Sequence, residues 1–184
     1  MERKPILIII LTLVFFSLTI NTLSQIPSKA VQDVKNELRF SSKDIDMEGF
    51  QLTHIEAVKH SMSTAGKKYS AIIIQLANYD RGDRFYHPNP TEEGQRRVTI
   101  NFSAPAGQKL KAGPYSLNGG MAKDFRLSVG IEKKGESLGL YNGTGSGEIL
   151  LIDEKTIIAR VNVQDTRGTT IEATFSTLWE KSRY

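Results

Sequence analysis

The side chains best suited to molecular recognition are concentrated in residues 79–95, a seventeen-residue stretch between two segments of alternating apolar character. It contains Tyr79, Arg81, Asp83, Arg84, Phe85, Tyr86 and His87. A connection of this length inside a compact domain is uncommon and is usually either functional or disordered. Aromatic rings offer rigid contact area and the arginine fork supplies directed donors, a combination that suits a protein or glycan surface. These seven residues are the expected ligand contacts. Arg81-Gly82-Asp83 spells an integrin-recognition tripeptide, but such short matches often arise by chance, and a glycine turn flanked by balancing charges accounts for it.

Catalytic and metal chemistry find less support. Asp80 or Asp83 with Glu92 or Glu93 supplies the two carboxylates of a hydrolase, provided that a pair comes within about 5–10 Å across a cleft. Asp44, Asp46, Glu48 and Gly49 copy the opening of a calcium-binding loop. The bidentate acid of such a loop belongs at the twelfth position, which is Ile55, so an acidic solvated loop is the reading adopted. His54, Glu56 and His60 fall on one side of an uninterrupted strand, but His54 and His60 would then lie about 20 Å apart, too far to share an ion.

Gly143-Thr144-Gly145-Ser146-Gly147 lacks the Lys-Ser/Thr and the helix that a phosphate loop requires, and it reads as a flexible turn. Ser146 has Thr144 and Glu148 where a nucleophile elbow needs glycine. Asn101-Phe102-Ser103 and Asn142-Gly143-Thr144 are glycosylation sequons, meaningful only in a eukaryotic host. The chain has no cysteine, which excludes disulfides, thiolate metal sites, a cysteine nucleophile and lipid attachment through cysteine. No catalytic residue, metal ligand or cofactor is expected, and a non-enzymatic role is preferred to the hydrolase.

These residues need a scaffold, and 184 residues allow one domain. At 39% hydrophobic and 24% charged the composition is that of a globular protein. The formal net charge is +4, falling by one to +3 without residues 1–24, which carry Arg3, Lys4 and Glu2. The basic residues are spread in pairs, Lys67 with Lys68, Arg96 with Arg97 and Lys133 with Lys134, which read as solvated turns, so no nucleic-acid partner is expected.

Residues 1–24 have the order of a signal peptide: a positive start, an apolar run over 6–20 and a polar end with small residues. Cleavage is expected near Gln25. The alternative is an uncleaved anchor through residues 6–23, about 27 Å long as a helix against a hydrocarbon thickness of about 30 Å. Both place the body outside the cytoplasm, in the periplasm, secreted or membrane-anchored, and the lack of disulfides suits a bacterial envelope. Residues 25–49 read as a linker with a short helix capped by Ser28 and marked by Val31, Val34 and Leu38.

From residue 50 to 184 the pattern is β. Segments 50–59 and 69–78 are strand candidates, and Ile72-Ile73-Ile74 in the second is apolar on both faces, the mark of a strand central to the fold. Val98, Ile100 and Phe102 alternate with polar residues, as do Phe125, Leu127, Val129 and Ile131. Later strands run through Ile157 to Val163 and Ile171 to Trp179, with turns at Lys133-Lys134-Gly135 and Asp165-Thr166-Arg167-Gly168. Burying the four apolar side chains of the Phe125 strand contributes roughly 6–12 kcal/mol, while ordering its backbone costs about 8–16. The strands must therefore cover one another's apolar faces. An all-β antiparallel sandwich of about 7–8 strands is the expected fold, with a barrel as the alternative.

The segments Lys111-Ala112-Gly113-Pro114-Tyr115-Ser116-Leu117, Thr144-Gly145-Ser146-Gly147-Glu148-Ile149 and Thr170-Ile171-Glu172-Ala173-Thr174-Phe175, taken in order over roughly residues 50–179, resemble a pattern in uncharacterised exported bacterial β-sandwich domains. Pro114 stands where threonine is usual and Ala173 replaces a glycine. The resemblance implies a fold and brings no catalytic residues. The expected function is an exported, non-enzymatic module that binds a protein, glycan or envelope component, with a carboxylate hydrolase or a structural assembly subunit as alternatives.

Overall fold

The computed structural model describes residues 34–64, 66–80, 90–117, 123–140 and 142–181. The expected signal or anchor and the start of the expected short helix lie outside them. All regular structure in the described residues is β: β1 (Glu37–Ser41), β2 (His54–Thr64), β3 (Lys67–Ala77), β4 (Arg96–Ser103), β5 (Gly113–Ser116), β6 (Arg126–Lys133), β7 (Glu136–Gly139), β8 (Thr144–Ile152), β9 (Thr156–Gln164) and β10 (Thr170–Lys181).

The period-two segments form strands because alternation gives each one an inward and an outward face. β4 and β6 pair antiparallel with Val98 opposite Ile131, Ile100 opposite Val129 and Phe102 opposite Leu127, and all six are buried. β3 adds Ile72, Ile74 and Leu76, each 0% exposed. The outward Ile73 between them is half-buried, so both faces of the triple-isoleucine strand are covered.

Closure overturns the preference for a sandwich. The hydrogen-bonded order runs β10-β2-β3-β4-β6-β5-β8-β9, and β9 pairs back onto β10 along residues 170–178. Eight strands thus make a closed barrel, with β1 added to β10 and β7 to β6. The length of β10 permits this, because its other edge is shared between β1, at residues 170–174, and β2, at 179–181. Eight strands enclose an interior just wide enough for side chains to fill. Phe102, Leu127, Ile149, Ile157 and Phe175 occupy it, all at most 1% exposed.

Two local readings are also corrected. Leu38, expected in a short helix, lies in β1, whose Leu38 and Phe40 pack against the core with a period of two. The glycine-rich stretch is no flexible turn: Gly145 and Gly147 lie inside β8, paired with Val163 and Val161. A Cβ on Gly147 would stand 2.7 Å from a ring carbon of Phe102, so the glycine makes room for that ring. Tyr115, opposite Gly147 in β5, stacks edge-on against Phe102 and Phe125 at 5.0 and 5.2 Å.

One barrel end is held by an ionic node. Asp165, 4% exposed, accepts hydrogen bonds from the backbone of Arg167 and Thr169, each at 2.9 Å, and from the Arg167 guanidinium at 2.8 Å. Arg167 also approaches Asp44 at 3.3 Å, and Ser42 meets Thr169 at 3.1 Å, which ties residues 42–47 to the β9–β10 turn. Ile45 and Met47 are thereby set into the core. Burial alone would raise the Asp165 pKa, but the hydrogen bonds from Thr169 and Arg167 and the Arg167 charge outweigh it and hold the carboxyl below its ordinary value.

A lowered folded-state pKa means stability that is present above the unfolded pKa and lost as pH falls through the folded one. Asp165→Asn is therefore expected to lower stability by about 2 kcal/mol at neutral pH. The gap from the parent should narrow as pH drops below about 4. Urea midpoints measured from pH 7 to 2 test this, and a gap independent of pH would refute it.

Candidate functional site

The connection that sequence singled out springs from firm feet. Asn78, just past β3, donates from Nδ2 to the Gly94 carbonyl at 2.8 Å and accepts the Arg96 amide at 2.7 Å. Gln95 Oε1 accepts the amides of Thr91 and Glu92 at 3.0 and 3.2 Å, and Pro90 is buried. Arg96 Nε donates to the Asp46 carbonyl at 2.9 Å, so residues 44–49 brace the same end. Of the seven expected contacts only Tyr79 is described. Arg81, Asp83, Arg84, Phe85, Tyr86 and His87 lie outside the described residues.

Beneath these feet, the outer wall of β2, β3, β4 and β6 carries a buried polar cluster that sequence reasoning missed. Arg97, read as half of a solvated basic pair, is 4% exposed and ion-paired through Nε to Glu132, its cross-strand partner on β6. Its Nη1 is 3.5 Å from Gln75 Oε1 on β3, and Thr99 Oγ1 donates to Glu132 at 3.4 Å. The alternation of β4 gave the available signal: Arg97, Thr99, Asn101 and Ser103 share the outward face. The burial of that face depends on the tertiary structure.

Three buried polar atoms on this wall have no hydrogen-bond partner among the described residues: His60 Nε2, Tyr79 Oη and Asn101 Oδ1. Burial pushes the Tyr79 phenol above its ordinary range, Arg97 opposing and Glu132 reinforcing the shift, so the group stays a neutral donor near pH 7. Burial also lowers the His60 pKa, which favours the neutral imidazole. Both groups present hydrogen-bonding capacity without charge.

The other candidates are dispersed. His54, Glu56 and His60 do share the outer face of β2, but His54 bonds Thr53 at 2.8 Å and stands 4.0 Å from Asp80. Glu93 pairs with Lys134 at 3.2 Å. Two of the hydrolase acids are thus matched to different basic partners. Asp46 Oδ1 accepts the Glu48 amide at 2.8 Å within its own turn, and Asp44 faces Arg167. Among the described residues no three of these side-chain types are grouped to hold a metal ion.

The opposite wall is wet, with Arg160, Asn162 and Gln164 of β9 exposed. A groove of about 420 Å³ crosses it over β8, β9, β10 and β1. Its two sides are cross-strand rows, Ser146, Asn162, Glu172 and Arg39 on one and Glu148, Arg160, Thr174 and Glu37 on the other. Between them the inward residues Gly147, Val161 and Ala173 present their backbone as the floor. Arg160 closes on Glu148 with a 2.8 Å hydrogen bond.

The class defined by these features is a closed eight-stranded β-barrel with apolar side chains packed inside it and two further strands added to its wall. Comparison with protein-family models, curated proteins and solved structures gives no match to this chain.

Proposed function

We propose that the protein is an exported, non-enzymatic module that binds a protein, glycan or envelope component through the outer wall of β2, β3, β4 and β6 and the connection 79–95. The observation that carries this reading is the concentration of His60 Nε2, Tyr79 Oη and Asn101 Oδ1 on one wall, buried and without partners among the described residues. Each such group costs about 1–3 kcal/mol, a cost that a partner's donors and acceptors would offset where binding shifts the side chains that cover them. The apolar side chains packed inside the barrel among the described residues support the same reading, since a filled interior directs recognition to the outside. The braced feet at Asn78 and Gln95 hold the connection on a rigid scaffold, as recognition loops require.

A photo-reactive phenylalanine analogue placed at Tyr79 of the full chain, expressed in a bacterial host, tests the assignment. It is expected to yield a cross-linked partner that the same analogue at Arg160, on the opposite wall, does not. Combining it with Arg84→Ala, Phe85→Ala and Tyr86→Ala should abolish the product. Equal products from both positions, or a product unaffected by the triple change, would overturn the reading.

A further inference from the structure

We propose that two copies of this chain associate by pairing β1 with β1 across a twofold axis at Leu38. β1 bonds to β10 along one edge and its other edge pairs with no described strand. Such an edge displays unpaired backbone donors and acceptors and is a template for a further strand. A copy of the same strand, added antiparallel, gives the isologous contact of a closed dimer.

Charge selects the register. With Leu38 opposite Leu38 of the second copy, Glu37 faces Arg39 of the second copy and Arg39 faces Glu37 of the second copy, forming two opposite-charge cross-strand pairs. Moving the axis by one residue sets Arg39 against Arg39 or Glu37 against Glu37, and like charges directly opposite destabilise. Within one copy Glu37 pairs with Lys35 at 3.0 Å and Arg39 stands 4.0 Å from Glu37, but Lys35, Glu37 and Arg39 are 83%, 44% and 77% exposed, so these solvent-screened contacts leave both Glu37 and Arg39 within reach of a second chain. The axis also keeps Leu38 and Phe40 on the core side in both copies, and the groove row ending in Arg39 would run on into Glu37 of the second copy.

The absence of native cysteine makes the axis directly measurable. Facing residues of an antiparallel pair have Cα atoms about 4.5–5.5 Å apart, within disulfide range. Leu38→Cys in the full chain, treated with a mild oxidant, is expected to run as a reducible dimer of twice the mass. Ser41→Cys should remain monomeric, because its twofold mate would be about 20 Å away. Adding Glu37→Arg to Leu38→Cys should remove the dimer by opposing Arg39, and the exchange Glu37→Arg with Arg39→Glu should restore it. Circular dichroism confirms that each variant is folded. A folded Leu38→Cys chain that stays monomeric, one that links instead to a different protein, or equal cross-linking at Ser41→Cys would overturn the proposal.

Discussion

Gly145→Ala is expected to destabilise the barrel by more than about 3 kcal/mol, the largest single-residue effect in β8. Two independent costs fall on the same atom. Gly145 has φ +110°, a backbone conformation that L side chains rarely adopt. Its added Cβ would also stand 2.2 Å from the carbonyl oxygen of Asn162 and 2.8 Å from the Cα of Val163. Both are backbone atoms of the neighbouring strand, so no rotamer change relieves the contact; β8 must leave β9. Gly147→Ala is a graded control. There the close atoms belong to Phe102 and Leu127 side chains, which can shift, and overpacking of this kind costs about 1–3 kcal/mol. Urea unfolding reads both: the midpoint should drop for each, further for Gly145, with little change in slope. An unchanged Gly145→Ala midpoint would refute the strand assignment of the glycine-rich stretch.

Arg97→Ala is the second large effect, expected to cost about 3 kcal/mol because it removes a buried guanidinium and leaves the Glu132 carboxylate, only 15% exposed, without its cation. Glu132→Ala should also destabilise the barrel, by removing the carboxylate that the buried Arg97 pairs with through Nε. The informative variant is the double Arg97→Met, Glu132→Leu, which removes both charges and keeps the volume. It should be far less damaging than the sum of the singles, since the desolvation cost of the pair disappears with the pair. If the double change were additive, the two residues would not form one unit. Photo-crosslinking from Tyr79 in that double variant further separates scaffold from recognition. A stable barrel that has lost its cross-linked partner would mean that the ion pair positions the wall for binding.

The strand segments were legible because period-two alternation survives in β4, β6, β9 and β10. The turns at Gly135 and Gly168 were legible because both glycines take positive φ, at 73° and 87°. β1 was not. Its five residues are too few for a period to declare itself, and Val31, Val34 and Leu38 mimic helix spacing across its start. The candidate site was half legible. The length and aromatic content of residues 79–95 singled out the connection between β3 and β4, whereas Arg97 and Glu132 are thirty-five positions apart and meet only through the β4–β6 register.

By itself, the sequence determined that the chain is all-β in its body, that no cysteine chemistry holds or drives it, and which faces of most strands point inward. These follow from local properties: residue type, spacing of two and glycine at turns. The tertiary structure alone decided that the sheet closes into a barrel, that the glycines of β8 admit a ring and a neighbouring backbone, and that an outward arginine is buried. Each of those depends on which distant strand lies alongside. Alternation tells a strand which side is the core and leaves its neighbour unspecified, and the neighbour determines whether a sheet ends in an edge or returns to its first strand.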